Sequence, residues 1–180
     1  MTALATTFAV IWAVFWVAWI AVGFTAKRSR RSFIGTRARL LIVVVIVVAR
    51  FAINPRGLEI HSIVLHVVGS ALFVAGLAFA IWARVHIGRN WGMPMSEKDD
   101  AELVTSGPYT LVRNPIYSGI LLAGIGTAIA LDLYVLIIVL LLGAYFVYSA
   151  KVEEGTMERQ FPDTYPAYRA RTKMLIPYVL

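Results

Sequence analysis

The sequence predicts an all-helical integral membrane protein, and three features of its 180 residues carry that expectation. Hydrophobic residues make up 59% and charged residues 15%, with a mean hydropathy of +0.75; a soluble domain carries about a quarter charged residues. Apolar runs close to the roughly 20 residues that cross a hydrocarbon core alternate with basic stretches. Cysteine is absent, which excludes disulfide frameworks, thiol catalysis and cysteine-ligated metal centres. The net charge of +7 lies between the apolar runs rather than on one water-facing surface, so nucleic acid is not an expected partner.

Five spans are expected. The first, Ala3 to Phe24, is uncharged and includes Trp12, Trp16 and Trp19. Lys27, Arg28, Arg30, Arg31, Arg37 and Arg39 follow it and read as a stop signal, which argues for an uncleaved helix. The second, Leu40 to Ile53, is interrupted by Arg50, whose head is expected to snorkel toward an interface. Asn54 to Gly57 reads as a turn, and the third span runs from Ser62 to Ala83. A fourth, Ile116 to Leu131, and a fifth, Leu133 to Ala150, are separated by Asp132 alone and should form a tight hairpin. Gly119, Ala123, Gly124, Gly126, Ala128 and Ala130 suit a closely packed helix seam in the fourth.

Charge sets the expected orientation. Residues 25–39, 84–115 and 151–180 hold fifteen of the seventeen Lys and Arg residues, and Arg50 and Arg56 hold the rest. Cytoplasmic loops gather such residues. The N terminus is therefore expected outside and the C terminus in the cytoplasm of a cell (inner) membrane.

The spans carry few polar groups: His66, Ser70, Thr127 and little else. His61 and His66 are five apart and do not share a helix face, and His86 completes the histidines, so no metal site is expected. Polar residues gather in two segments, His86 to Gly119 and Lys151 to Pro177. Gly107-Pro108 marks a turn, and Asn114-Pro115 places Pro at the start of a helix, where exposed N–H groups favour an anion. Tyr109 and Tyr117 flank that turn, and Glu153 or Glu154 could meet an ammonium or a ribose. These residues suit a nucleotide-like cofactor and equally a juxtamembrane connector with interfacial tyrosines.

The two segments together resemble the isoprenylcysteine carboxyl methyltransferase family, including its small prokaryotic members and the related phospholipid methyltransferases. The resemblance is carried, in order, by Gly88-Arg89-Asn90-Trp91, Leu103-Val104-Thr105-Ser106-Gly107-Pro108-Tyr109, Arg113-Asn114-Pro115-Ile116-Tyr117-Ser118-Gly119, Glu153-Glu154, Phe161, Tyr165, Tyr168 and Ile176-Pro177. Asn114 stands where the family has His before Pro, Ala101 where it has His before Leu-Val, and Pro162 where it has Gly. The family's Arg for a substrate carboxylate has no clear counterpart; Lys151 is the nearest cation.

The resemblance implies one membrane-embedded methyltransferase domain over residues 1–180. Residues 1–83 would supply three helices, and residues 84–180 the catalytic part. Segment 84–115 and the C-terminal tail would form a cytoplasmic pocket for S-adenosylmethionine; the sequence has no strand–Gly-rich-turn–helix unit for a soluble cofactor domain. Implied cofactor-binding residues are Leu103, Val104, Gly107, Pro108, Tyr109, Asn114, Pro115, Tyr117, Gly119 and Glu154. Catalysis would draw on Tyr109, Arg113, Glu153 and Glu154, and substrate binding on Asn90, Trp91 and Tyr168. The acceptor is expected to be lipophilic and to arrive from the bilayer, bearing a carboxylate, amine, hydroxyl or thiol. The alternatives are a non-catalytic binding or transport protein on the same scaffold and a reductase, since membrane sterol reductases are similar in their C-terminal architecture.

Overall fold

The computed structural model describes residues 3–23, 29–31, 60–91, 96–98 and 102–179. The expected second span, Leu40–Ile53, and the turn after it lie outside the described residues. The α-helices are α1 (Ala3–Gly23), α2 (Ile63–Ile87), α3 (Pro115–Ala130), α4 (Val135–Gln160) and α5 (Tyr165–Arg171). Three of them, α1, α2 and α4, are long and apolar enough to cross a membrane, and α3 is a shorter apolar helix. This is a helical membrane protein.

Two helices outrun their expected ends. Helix α2 continues past Ala83 because buried Arg84 is accommodated there: its Nη1 donates to the Gly88 carbonyl at 2.8 Å, and its guanidinium stands 4.5 Å above the Trp91 ring. A cation is also favoured in the last turn of a helix. Gly88, at φ 54°, then ends it in a conformation that glycine adopts without strain. Helix α4 runs through Ala150 to Gln160, with no proline before Pro162 to break it. Its 26 residues span about 39 Å, longer than the roughly 30 Å hydrocarbon core.

Helices α3 and α4 form the expected hairpin, where Asp132 Oδ1 accepts the Tyr134 N–H at 3.1 Å. The tightest seam is between α2 and α3. A Cβ added at Gly76 would lie 2.6 Å from the Gly119 carbonyl oxygen, and one at Gly126 would lie 2.6 Å from that of Gly69. Backbone meets backbone there, as small residues allow in lipid. Helix α1 joins through aromatic contacts: Phe8 stacks on Phe73 at 4.3 Å, and Trp12 Nε1 donates to Thr127 Oγ1 at 3.2 Å.

The tail is sewn to the segment before α3. Arg113 and Asn114 donate their backbone N–H groups to the carbonyls of Lys173 and Met174 at 2.8 and 3.0 Å. Ser118 Oγ donates to the Leu175 carbonyl at 2.6 Å, and Tyr168 OH to that of Tyr109 at 2.8 Å. A short antiparallel ribbon pairs β1 (Ser29–Arg31) with β2 (Ser96–Lys98), linking the segment after α1 to the one after α2.

Candidate active site

A cavity of about 260 Å³ lies where the C-terminal parts of α1, α2 and α4 meet the start of α3, close to the lower bound for small-molecule sites. Its polar lining includes Glu102, Arg113, Glu153 and Glu154. Its apolar and aromatic lining includes Trp16, Trp19, Ile87, Ile116, Ile120 and Phe146.

The neighbouring glutamates have different partners. Arg113 donates through Nε to Glu154 Oε1 at 2.7 Å, and its Nη2 lies 2.7 Å from the same oxygen. Arg169 Nε approaches Glu154 Oε2 at 3.7 Å, while Arg113 Nη1 donates to the carbonyls of Arg169 and Thr172. Bonds from all three Arg113 guanidinium nitrogens thus stay within the protein. Glu153 Oε1 instead accepts from the neutral Tyr117 hydroxyl at 2.7 Å. The Tyr117 ring stacks on Phe146 at 4.3 Å, which fixes the direction of that hydroxyl.

Burial, ahead of the nearby Tyr168 and Glu153, holds the Tyr109 phenol well above its ordinary range. It also pushes Tyr168 up to about 12 and raises Tyr165. These tyrosines keep their protons near neutral pH and are poor bases. Asn90 Nδ2 donates to Glu102 Oε2 at 3.1 Å, while Asn90 Oδ1 is buried without a hydrogen-bond partner. The wall of the cavity therefore contains an acceptor suited to a donor from an occupant.

Most residues singled out from the sequence converge here. Leu103, Val104, Tyr109, Asn114, Pro115, Tyr117 and Glu154 of the cofactor set line the cavity, as do Arg113 and Glu153 and the substrate set Asn90, Trp91 and Tyr168. Gly107, Pro108 and Gly119 are not among the lining residues. Gly107 sits at φ 58° with the His86 ring 2.6 Å from where a Cβ would be, Pro108 is fully buried, and Gly119 belongs to the α2 seam. Asn114 begins α3 but makes no side-chain capping bond; its Nδ2 donates to the Met174 carbonyl at 3.2 Å.

Sequence reasoning gave no site role to Glu102, Met157 or the apolar lining, and met Tyr165 and Ile116 only as motif residues. Part of that lining had a signal: Trp12, Trp16 and Trp19 recur at intervals of four and three, marking one face of α1.

Fold and site together describe a helical membrane protein with a polar and aromatic cavity at one end of its bundle. The phospholipid methyltransferase family matches residues 64–164, more than half of the chain, and the chain belongs to that family of membrane methyltransferases. It is also 29% identical over 113 residues to a nickel-cobalt-cadmium resistance protein, NccN, of Alcaligenes xylosoxydans xylosoxydans. That alignment covers 61% of this chain and 52% of the relative, so the chain spans about half the relative's length.

Proposed function

We propose that the cavity binds S-adenosylmethionine and that the protein methylates a lipophilic acceptor at the cytoplasmic face of the cell (inner) membrane. The observation that carries this reading is the pair Glu153 and Glu154 on one cavity wall, one bonded by a tyrosine hydroxyl and the other by a guanidinium. The lining fits the cofactor: carboxylates suit a sulfonium and an ammonium, aromatic faces suit a purine and a cation, and Asn90 Oδ1 suits a donor. Leu103, Val104, Tyr109, Asn114, Tyr117 and Glu102 would hold it. When bound, the cofactor supplies an electrophilic methyl group.

The protein's own part is alignment, exclusion of water and management of one proton. Glu153 takes the proton from an amine or hydroxyl acceptor, with Tyr117 OH orienting the carboxylate. Glu154 holds Arg113 and shapes the wall. Of the described lining residues Arg113 is the one cation, and its nitrogens are bonded internally, so an amine or hydroxyl is better supported than a carboxylate. The apolar lining suits the body of a membrane-borne acceptor. The basic segments at this end support an outside N terminus and a cytoplasmic C terminus.

The NccN name concerns nickel, cobalt and cadmium. Among the described residues no three His, Asp or Glu groups gather to hold a metal, and the proposed chemistry uses none.

Calorimetric titration with S-adenosylmethionine, followed by labelled-methyl transfer to a total lipid extract, tests the proposal in wild type and Glu153→Gln. Both should bind the cofactor, while the variant loses about 10²–10⁴-fold in transfer rate. Binding without transfer in the wild type would favour a non-catalytic binding role. No binding would overturn the methyltransferase proposal and leave the non-catalytic binding or transport protein.

A further inference from the structure

We infer that the turn at residues 176–179 is an interfacial anchor that docks on anionic lipid and holds the tail segment 173–175 against the residues before α3. Ser118 Oγ donates to the Leu175 carbonyl at 2.6 Å, which sets the tail's height against α3. Ser118 is the fourth residue of that helix, about 4.5 Å inward from its start. The 16 residues of α3 span about 24 Å, shorter than the roughly 30 Å hydrocarbon core. On this proposal the first turn of α3, and Leu175 beside it, lie near the hydrocarbon boundary.

Met174 and Leu175 turn inward and are buried. The next residues turn out, closed by a bond from the Val179 N–H to the Ile176 carbonyl at 3.1 Å. Ile176, Tyr178 and Val179 are 51%, 93% and 73% exposed. In water such a cluster is costly, whereas at the headgroup level apolar and aromatic side chains are at home. Arg171 and Lys173, both exposed, immediately precede the turn. Basic charge beside an apolar insertion gives affinity for anionic lipid. Lys173 and Met174 also receive the backbone bonds of Arg113 and Asn114, so lipid contact is passed directly to the cavity wall.

The cysteine-free full chain allows a clean test. Tyr178→Cys and, separately, Val179→Cys carry a nitrobenzoxadiazole label in reconstituted vesicles of phosphatidylcholine and phosphatidylglycerol; Asp163→Cys, exposed between α4 and α5, is the water-facing reference. Labels at 178 and 179 should be blue-shifted, quenched by lipids brominated near the headgroup, and largely spared by aqueous iodide, with the reverse at 163. Replacing Arg171 and Lys173 with Gln should reduce the lipid quenching in these vesicles but not in phosphatidylcholine alone. Iodide reaching 178 as readily as 163 would overturn the anchor. Protection from both quenchers would replace it with a protein contact, and insensitivity to phosphatidylglycerol would remove the anionic surface as partner.

Discussion

Arg113 and Glu154 meet at 2.7 Å with side chains only 9% and 7% exposed, and their contact joins the turn before α3 to the far end of α4. Removing one partner leaves the other charge buried. Glu154→Ala should cost about 3 kcal/mol, read as a lowered melting temperature in detergent. Arg113→Met combined with Glu154→Leu should cost less than the sum of the singles. Single variants as stable as wild type would show that the pair does not secure the wall.

Asn114 separates two roles by the sign of one comparison. A helix cap accepts Asp as readily as Asn, but the Asn114 amide donates to the Met174 carbonyl. A carboxylate cannot make that bond and would face the oxygen instead. Asn114→Asp should therefore be less stable than Asn114→Ala by about 1 kcal/mol. The opposite order in thermal unfolding would make it a cap.

Two glycine substitutions should diverge. Gly76→Ala places a methyl 2.6 Å from the Gly119 carbonyl oxygen, with backbone on the far side of the seam. It should destabilise by about 1–3 kcal/mol or more as the helices separate. Gly143→Ala meets only Leu121 Cδ2, at 3.7 Å, and should be neutral or stabilising by up to about 1 kcal/mol. Equal melting temperatures for the two variants would contradict the close seam.

High pH should unfold the cavity end. An unfolded tyrosine loses its proton near pH 10, whereas folded Tyr168 holds it to about 12, and Tyr109 and Tyr165 hold theirs to higher pH. Above about pH 10 the unfolded chain is the one that deprotonates, so stability falls as pH rises. Between pH 7 and 9 these tyrosines contribute no slope, since they are protonated in both states. Tyr168→Phe should lessen the alkaline loss, measured as melting temperature against pH. An unchanged slope would exclude Tyr168 as a contributor.

The helices α1, α2 and α4, and the shorter apolar α3, were legible because a bilayer demands apolar runs, which are written locally. The convergence of Tyr109, Tyr117 and Glu153 was legible through an ordered set of motifs. The identity of their partners was not. Nothing in composition announces that Asn114 meets Met174, or that α1 closes the cavity with Trp16 and Trp19, because those contacts are fixed by the packing of distant segments. Motif glycines are partial for a related reason: Gly107 and Gly119 stand in close approach to His86 and to α2, and a motif does not say which neighbour a missing side chain makes room for.

Helix α4 works as a screw whose pitch decides which partner each glutamate meets. Every residue turns the thread by about 100° and raises it about 1.5 Å. One residue inserted between the hairpin and Lys151 would bring Glu153 round to Arg113 and present Val152 to Tyr117, preserving the ion pair while leaving the Tyr117 hydroxyl without its carboxylate. One residue deleted would leave Gly155 opposite Arg113. Substitutions along the membrane part of α4 and changes in its length are thus unequal events: the first alters its apolar surface, whereas the second reassigns the partners of both glutamates.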